Sequence, residues 1–298
     1  MHRPQADSNR EWDARRLGWA LAVNGLLSLV QLAGGWWANS LALIADALHN
    51  GADAAALAIA FYALRLARRP ADRRRTFGYR RAETVAALIN LVVLLLVGAG
   101  LFYEAVWRLL RPEPVAGDWM MILGALALAV DLATVAVLWQ GSRRSLNLRA
   151  AMLHNAADAL SSLGVLAGGA AIALTGRAAV DAWLGMAIGV WVAYHAWRHL
   201  PETIHILMNG APDHLDVDDI AAALAAEPQV ASVHHLHLWR LDEQRDALEA
   251  HVVVRRADLN DIEAIKGRLK RLLAERYRIA HVTLEIETED SPCPGSTA

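Results

Sequence analysis

Two pentapeptides in this 298-residue chain have the residue types and spacing of a metal-binding pair: His49-Asn50-Gly51-Ala52-Asp53 and His154-Asn155-Ala156-Ala157-Asp158. In each, histidine and aspartate stand four residues apart, which on a helix puts them on one face about a turn from each other. Two facing helices could thus direct two imidazoles and two carboxylates at a single point. Such a near-tetrahedral N/O set suits Zn2+, which binds imidazole and carboxylate at about 2.0–2.2 Å. The absence of thiolate or thioether ligands argues against Cu(I), and Mg2+ or Ca2+ would want more oxygen donors. One His–Asp pair alone could be a simple hydrogen bond between helices. Two nearly identical pairs, both inside apolar stretches, argue otherwise. An ionised carboxylate near mid-bilayer costs about 2.5–3.5 kcal/mol, so such residues usually line a pathway.

The elements that must hold these pairs are long and apolar. Hydrophobic residues make up 55% of the chain and concentrate before residue 200. A run of about 20 apolar residues crosses a bilayer core, and the hydropathy pattern predicts six spans: 17–38, 42–66, 83–108, 118–140, 149–175 and 179–200. The pentapeptides fall in the second and fifth. Arginine sorts between the connections. Residues 65–81 hold Arg65, Arg68, Arg69, Arg73, Arg74, Arg75, Arg80 and Arg81, and the connection after the fourth span carries Arg143, Arg144 and Arg149. The opposite turns are poorer: WWANS has no basic residue and the turn near 176 has only Arg177, although Arg108 and Arg111 flank the third. An excess of arginine marks the cytoplasmic side. Both termini are therefore expected there, with the chain in the cell's inner (plasma) membrane. The start, MHRPQADSNREWDARR, is too polar for a signal peptide. A net charge of −2 gives no reason to expect nucleic acid as a partner, and a single cysteine, Cys293, excludes an internal disulfide framework.

After residue 209 the character changes. The helix breakers in Asn209-Gly210-Ala211-Pro212 mark a boundary. Residues 216–226 predict a short helix, 230–239 and 247–254 strands separated by the polar turn LDEQRD, 261–276 an amphipathic helix and 281–287 a last strand. The order α-β-β-α-β predicts a small two-layer α+β domain. The expected division is an N-terminal segment 1–16, a six-helix transmembrane domain 17–208, an α+β domain 209–290 and a disordered tail 291–298.

The paired HxxxD motifs resemble those of the cation diffusion facilitator family of metal exporters, in its zinc-transporting branch. The stretch Thr76-Phe77-Gly78-Tyr79-Arg80-Arg81-Ala82-Glu83 is similar to that family's signature before the third helix. The resemblance covers nearly the whole chain. It implies a homodimeric transporter, not an enzyme, with a ferredoxin- or metallochaperone-like cytoplasmic domain and no cofactor beyond Zn2+ as cargo and regulatory ion. It further implies zinc efflux in exchange for protons by alternating access, with Cd2+ and Co2+ as further substrates. Imidazole and carboxylate ligands support proton exchange independently, because protons compete with the metal for them. By resemblance, His234, His251, Glu285 and Glu287 correspond to a regulatory site, with glutamate where the family uses histidine on the last strand. Resemblance also pairs Arg81 with an acid near Asp213 as a lock between the two parts of the dimer. A loop metal site known in some relatives is expected to be absent, since only Asp72 remains among arginines; those arginines would instead meet anionic lipid or the cytoplasmic domain.

Four further residues attach to the main site. Asp46, a turn before His49, and Asp131 in the fourth span are candidates for a carboxylate relay. For Asp131 a hydrogen bond to Asn24, Gln31, Asn90 or another polar residue inside the bundle is an equal alternative. Asn50 and Asn155 are expected to orient ligands or join helices. In the tail, simple strand alternation puts His235 and His237 on one face and His234 on the other. Two other classes of function fit the residues less well. A membrane-embedded zinc enzyme would need an H-E-x-x-H-type helix or an open metal position, and neither is present. A membrane-anchored zinc sensor would leave the intramembrane pair without a task.

Overall fold

The computed structural model describes residues 4–142, 146–242, 245–255 and 261–288. The tail 291–298 with Cys293, and also Arg143 and Arg144, lie outside them. Six long helices come first: α1 Pro4–Ala38, α2 Leu41–Ala67, α3 Ala82–Leu110, α4 Gly117–Ser142, α5 Leu146–Thr175 and α6 Ala179–Leu207. Helix α1 begins at Pro4, so most of the expected separate segment 1–16 is helical; proline is well placed at a helix start, where its missing N–H is no loss. Helix α6 runs on past residue 200, through Pro201. The chain divides into two compact units, Met1–Phe61 with Ile89–His199, and Tyr62–Leu88 with Leu200–Ala298. The second unit thus includes the arginine-rich connection, which the sequence placed with the transmembrane domain.

The first unit is inverted relative to a water-soluble bundle. Only 11% of the apolar stretch of α3 is buried, and Trp36, Trp37, Leu96 and Leu110 all face outward. Helices of this kind keep every backbone group bonded internally and offer apolar side chains to lipid. Among the described residues, four helices, α1, α3, α4 and α5, are long and apolar enough to cross a membrane. In α2 the residues Asp46, His49, Asn50 and Asp53 dilute the apolar composition, and in α6 Asp181, His195 and His199 do so. Without a hydrophobic drive between helices, close approach depends on small residues. A Cβ added to Gly124 of α4 would lie 2.8 Å from Leu166 N of α5, and one on Gly98 of α3 would lie 2.7 Å from Gly189 O of α6.

The N-terminus of α2 is capped by the chain itself. Asn39 turns the chain at φ 52°. Ser40 Oγ accepts from Leu43 N at 3.2 Å, and the buried Asp181 of α6 accepts from Leu41 N at 2.6 Å and Ala42 N at 3.0 Å. Ser40 Oγ also donates to Asp181 Oδ1 at 2.6 Å. These bonds satisfy amides that an α-helix leaves open at its start.

In the second unit, α7 (Val217–Ala225) starts at Asp216, whose carboxylate accepts from Asp218 N and Asp219 N. Strands β1 (Val230–Asp242) and β2 (Arg245–Val254) follow, then α8 (Ile262–Arg276) and β3 (His281–Thr288). The strand order is β1-β2-β3, with β2 antiparallel to β1 and parallel to β3. A parallel neighbour needs a crossover, and α8 supplies it. Ile265, Leu269 and Leu273 form an apolar line along α8 and pack with Ile220, Leu224, Leu248, Val252 and Val254. Two expectations change here. Pairing extends through most of LDEQRD, to Asp242 and from Arg245, because Arg240 pairs with Asp246 and Asp242 with Arg245. The regular alternation at 234–237 fails: the register shifts between His234 and His237, and His235 adopts φ 48°. Such a bulge re-aims the side chains around it.

Candidate metal centre

Helices α2 and α5 bring the two pentapeptides together. His49 Nδ1 is 3.8 Å from Asp53 Oδ2, and His154 Nε2 is 3.2 Å from the same oxygen. His154 Nε2 is 3.6 Å from Asp158 Oδ2, and His49 Nε2 is 3.7 Å from Asp158 Oδ1. The four side chains close a ring of contacts. Ligand atoms of a tetrahedral zinc site with bonds of about 2.0–2.1 Å stand about 3.3–3.4 Å apart, and the contacts between neighbours in the ring are near that spacing. Asp158 turns one oxygen to each imidazole and His49 uses both nitrogens, while the two imidazole ring centroids stand 6.2 Å apart, so the ring is wider than a closed tetrahedral cage. The buried atoms His49 Nδ1 and Asp53 Oδ2 have no hydrogen-bond partner of regular geometry. Buried polar atoms are seldom left so in folded proteins, and an ion is one ordinary explanation.

Asn155 is buried and accepts from Asn24 Nδ2 of α1 at 2.6 Å, while its own Nδ2 donates to Ala151 O. It therefore ties α5 to α1 beside the ligand histidine. Asn50 is also buried. Asp46 is fully enclosed and accepts from Gln31 Nε2 at 2.6 Å and Ser161 Oγ at 2.7 Å. Asp131 is bonded by Ser162 Oγ at 2.8 Å, so its partner is another polar residue of the bundle and not one of the three named; Asn24 and Gln31 are used elsewhere. Gln31, Ser161 and Ser162 were not assigned these roles from sequence. The signal available was position: the two serines follow Asp158 by three and four residues, one turn further along α5. Asp181, Ser40 and Arg108 were also missed, and only tertiary structure brings them together. Arg108 donates to Asn39 O at 2.7 Å and lies 3.8 Å from Asp181 Oδ2.

The sheet of the second unit holds another cluster. His234, His251 and Glu287 each offer a ligand atom within 4.8 Å of the others, the only such group found among the described residues. His251 Nδ1 is 2.6 Å from Glu287 Oε1, His251 Nε2 is 3.3 Å from Glu285 Oε2, and His234 Nε2 is 3.3 Å from Glu287 Oε2. The bulge adds a member that alternation had put elsewhere. The His235 ring lies 5.4 Å from His234 and 5.0 Å from His251.

In the arginine-rich connection, Asp72 accepts from Tyr79 Oη at 2.6 Å and from Arg74 N and Arg75 N at 2.8 Å each. The Tyr79 hydroxyl first, then those amides, hold its carboxyl below the ordinary value. Both oxygens are thus engaged within the loop. Arg81 donates to Asn209 Oδ1 and reaches the carbonyl of Arg240 at 3.5 Å. No ion pair joins Arg81 to Asp213 among the described residues, and Asp213 is exposed.

Comparison with known proteins matches two successive parts of the chain, and the first of them includes the arginine-rich connection. Residues 19–208 match the cation efflux transmembrane domain, and residues 212–289 match the cytoplasmic domain of cation efflux proteins. The metal cation efflux system protein CzcD of Cupriavidus metallidurans is 38% identical over 95% of this chain and 89% of its own length. The zinc transporter ZitB of Escherichia coli is 35% identical, over 95% and 90%. A cadmium, cobalt and zinc/H(+)-K(+) antiporter of Bacillus velezensis is 32% identical, over 87% and 84%. Matches of this length, over both the helices with the paired His–Asp motifs and the α+β domain, place this chain in the cation diffusion facilitator family of membrane metal-efflux transporters.

Proposed function

We propose that this protein exports Zn2+ in exchange for protons, with His49, Asp53, His154 and Asp158 as the transport site. The observation that carries the reading is the closed ring of two imidazoles and two carboxylates across α2 and α5, with two buried ligand atoms lacking regular partners. The names of the relatives, a zinc transporter and a cadmium, cobalt and zinc antiporter among them, support the choice of ion and the counter-ion. Cd2+ and Co2+ are proposed as further substrates. The ligands bind metal when the histidines are neutral and the aspartates ionised, so metal and protons displace each other. Alternating access would expose this midplane site first to the cytoplasm and then to the outside. Asp46 and Asp131 are proposed as relay carboxylates, and Asn155 and Asn50 as residues that orient the ligand helices.

The protein works as a homodimer in the inner membrane, with both termini cytoplasmic. The match of its C-terminal part to the cation efflux cytoplasmic domain and the sorting of arginines support this. His234, His251 and Glu287, with Glu285 beside them, are proposed as a regulatory zinc site on that domain, supported by their mutual distances. For Arg81 the contacts favour a different role from the proposed pairing with Asp213: it fastens the connection before α3 to Asn209 and Arg240. Reconstituted uptake with a panel of divalent metals under a controlled pH gradient tests the main reading. Zinc uptake that rises with the outward-directed proton gradient is expected, and equal uptake with and without one would remove the coupling to protons.

A further inference from the structure

We propose that the second unit carries an anion site, distinct from both metal-binding constellations, that takes a phosphate-bearing ligand. Its location is a cleft of about 1230 Å³ lined by Arg68 and Arg69 after α2, Arg80 before α3, Arg245 at the start of β2, Arg278 between α8 and β3, and His281 at the start of β3. Positions far apart in sequence thus contribute guanidinium groups to one space. Two carboxylates, Glu83 and Asp246, also line it. Asp246 is engaged by His214 Nε2 at 3.2 Å, and Glu83 has interactions of its own. Among the described residues, Arg68, Arg69 and Arg278 have no ion-pair partner. The cleft therefore keeps a surplus of positive charge.

The placement of Arg278 strengthens the case. It stands just past the end of α8 with φ 59°, and Ile279 N returns to Leu273 O at 3.0 Å in the manner of a helix-ending turn. Glycine is the residue that such a position favours, and a left-handed conformation costs other residues about 1–2 kcal/mol. An arginine there accepts backbone strain at a position that lines the cleft.

The guanidinium fork matches the paired oxygens of a phosphate group, which explains a preference for this anion. Two sources of that chemistry fit. Leu64, Phe77 and Leu241 give the cleft apolar walls beside its charges, and basic residues that directly follow a membrane helix attract anionic lipid. A soluble polyphosphate anion has the same oxygens without the acyl chains.

The test uses the full-length protein, delipidated in a neutral detergent, with three probes: dioctanoyl phosphatidylglycerol, dioctanoyl phosphatidylcholine and inorganic pyrophosphate. Native mass spectrometry counts bound lipid and calorimetry follows pyrophosphate. The expected result is binding of phosphatidylglycerol in preference to phosphatidylcholine, or of pyrophosphate. Arg278→Gly should weaken it about tenfold, the effect of one charge-assisted contact. That variant suits the left-handed turn, so its melting temperature should hold. Arg68→Gln with Arg69→Gln, both on exposed side chains, provides a second test that does not touch the turn. Tight binding of phosphatidylglycerol with weak binding of pyrophosphate identifies a lipid site, and the reverse identifies a soluble anion; either supports the proposal. It is overturned if neither anion binds, or if both variants bind as the unaltered protein does. Because no metal is needed, failure here would leave the transport reading intact.

Discussion

Asp158 and His154 face each other across one turn of α5, yet the side chain of Asp158 is 4% exposed and that of His154 is 49% exposed. The four-residue ring thus has a closed side at Asp158 and an open side at His154. His49→Ala and Asp158→Ala are each expected to abolish zinc transport in proteoliposomes while the dimer stays intact by size-exclusion chromatography. Normal transport by either variant would mean that the site has been misplaced. Around the cage, each Asp46 oxygen accepts one hydrogen bond from a side chain. Gln31→Leu removes one donor from a fully buried carboxylate and should cost about 1–3 kcal/mol, read as a lower melting temperature of the detergent-solubilised protein. His49 and Asp53 were legible from spacing alone. Gln31 and Ser161 were not, because a lone polar residue in an apolar span does not show which helix it will meet.

Helices α4 and α5 pack backbone to backbone where Gly124 faces Leu166. Gly124→Val would drive a branched side chain into main-chain atoms that cannot move aside. It is expected to destabilise the bundle by about 1–3 kcal/mol, the usual penalty of overpacking, and to lower transport with it; unchanged thermal stability would contradict the packing. The connection between α2 and α3 is governed by Asp72. Its folded pKa lies below the unbonded value of 3.8, so the loop's stabilisation is present above that value and lost as pH falls through the folded pKa. Tyr79→Phe removes the largest cause. A 13C NMR titration should then find the Asp72 midpoint moved up toward the unbonded value, and an unmoved midpoint would dismiss the tyrosine's role. In the sheet, the bulge at His235 shows why strand faces could not be read from alternation alone. The left-handed conformation of His235 brings its ring beside those of His234 and His251, where alternation had separated them.

The molecule as a whole combines a lipid-facing unit, with its polar groups turned inward, and a unit with an ordinary apolar core. The proposed zinc site on the sheet belongs at this scale, since it would let cytoplasmic metal act on the dimer. Equilibrium dialysis of the full-length His251→Ala variant should find fewer zinc ions per protomer than in the unaltered protein. Binding at the intramembrane site should be retained, and equal stoichiometry in both proteins would remove the regulatory role.

While the meeting of the two His–Asp pairs came from the packing of α2 on α5, the sequence by itself determined the six long helices, the α-β-β-α-β order and the pairing of His49 with Asp53 and of His154 with Asp158. Each of these is written in a short period: about 20 apolar residues for a span, alternation for a strand, and a four-residue spacing for a shared helix face. Tertiary structure decided what depends on residues distant in the chain. It put Ser161 and Gln31 on Asp46, Ser162 on Asp131 and Asp181 on the start of α2. It also carried His235 into the histidine cluster and gathered five arginines about one cleft. Local spacing fixes which face a side chain takes; only the packing of whole helices and strands fixes what stands opposite.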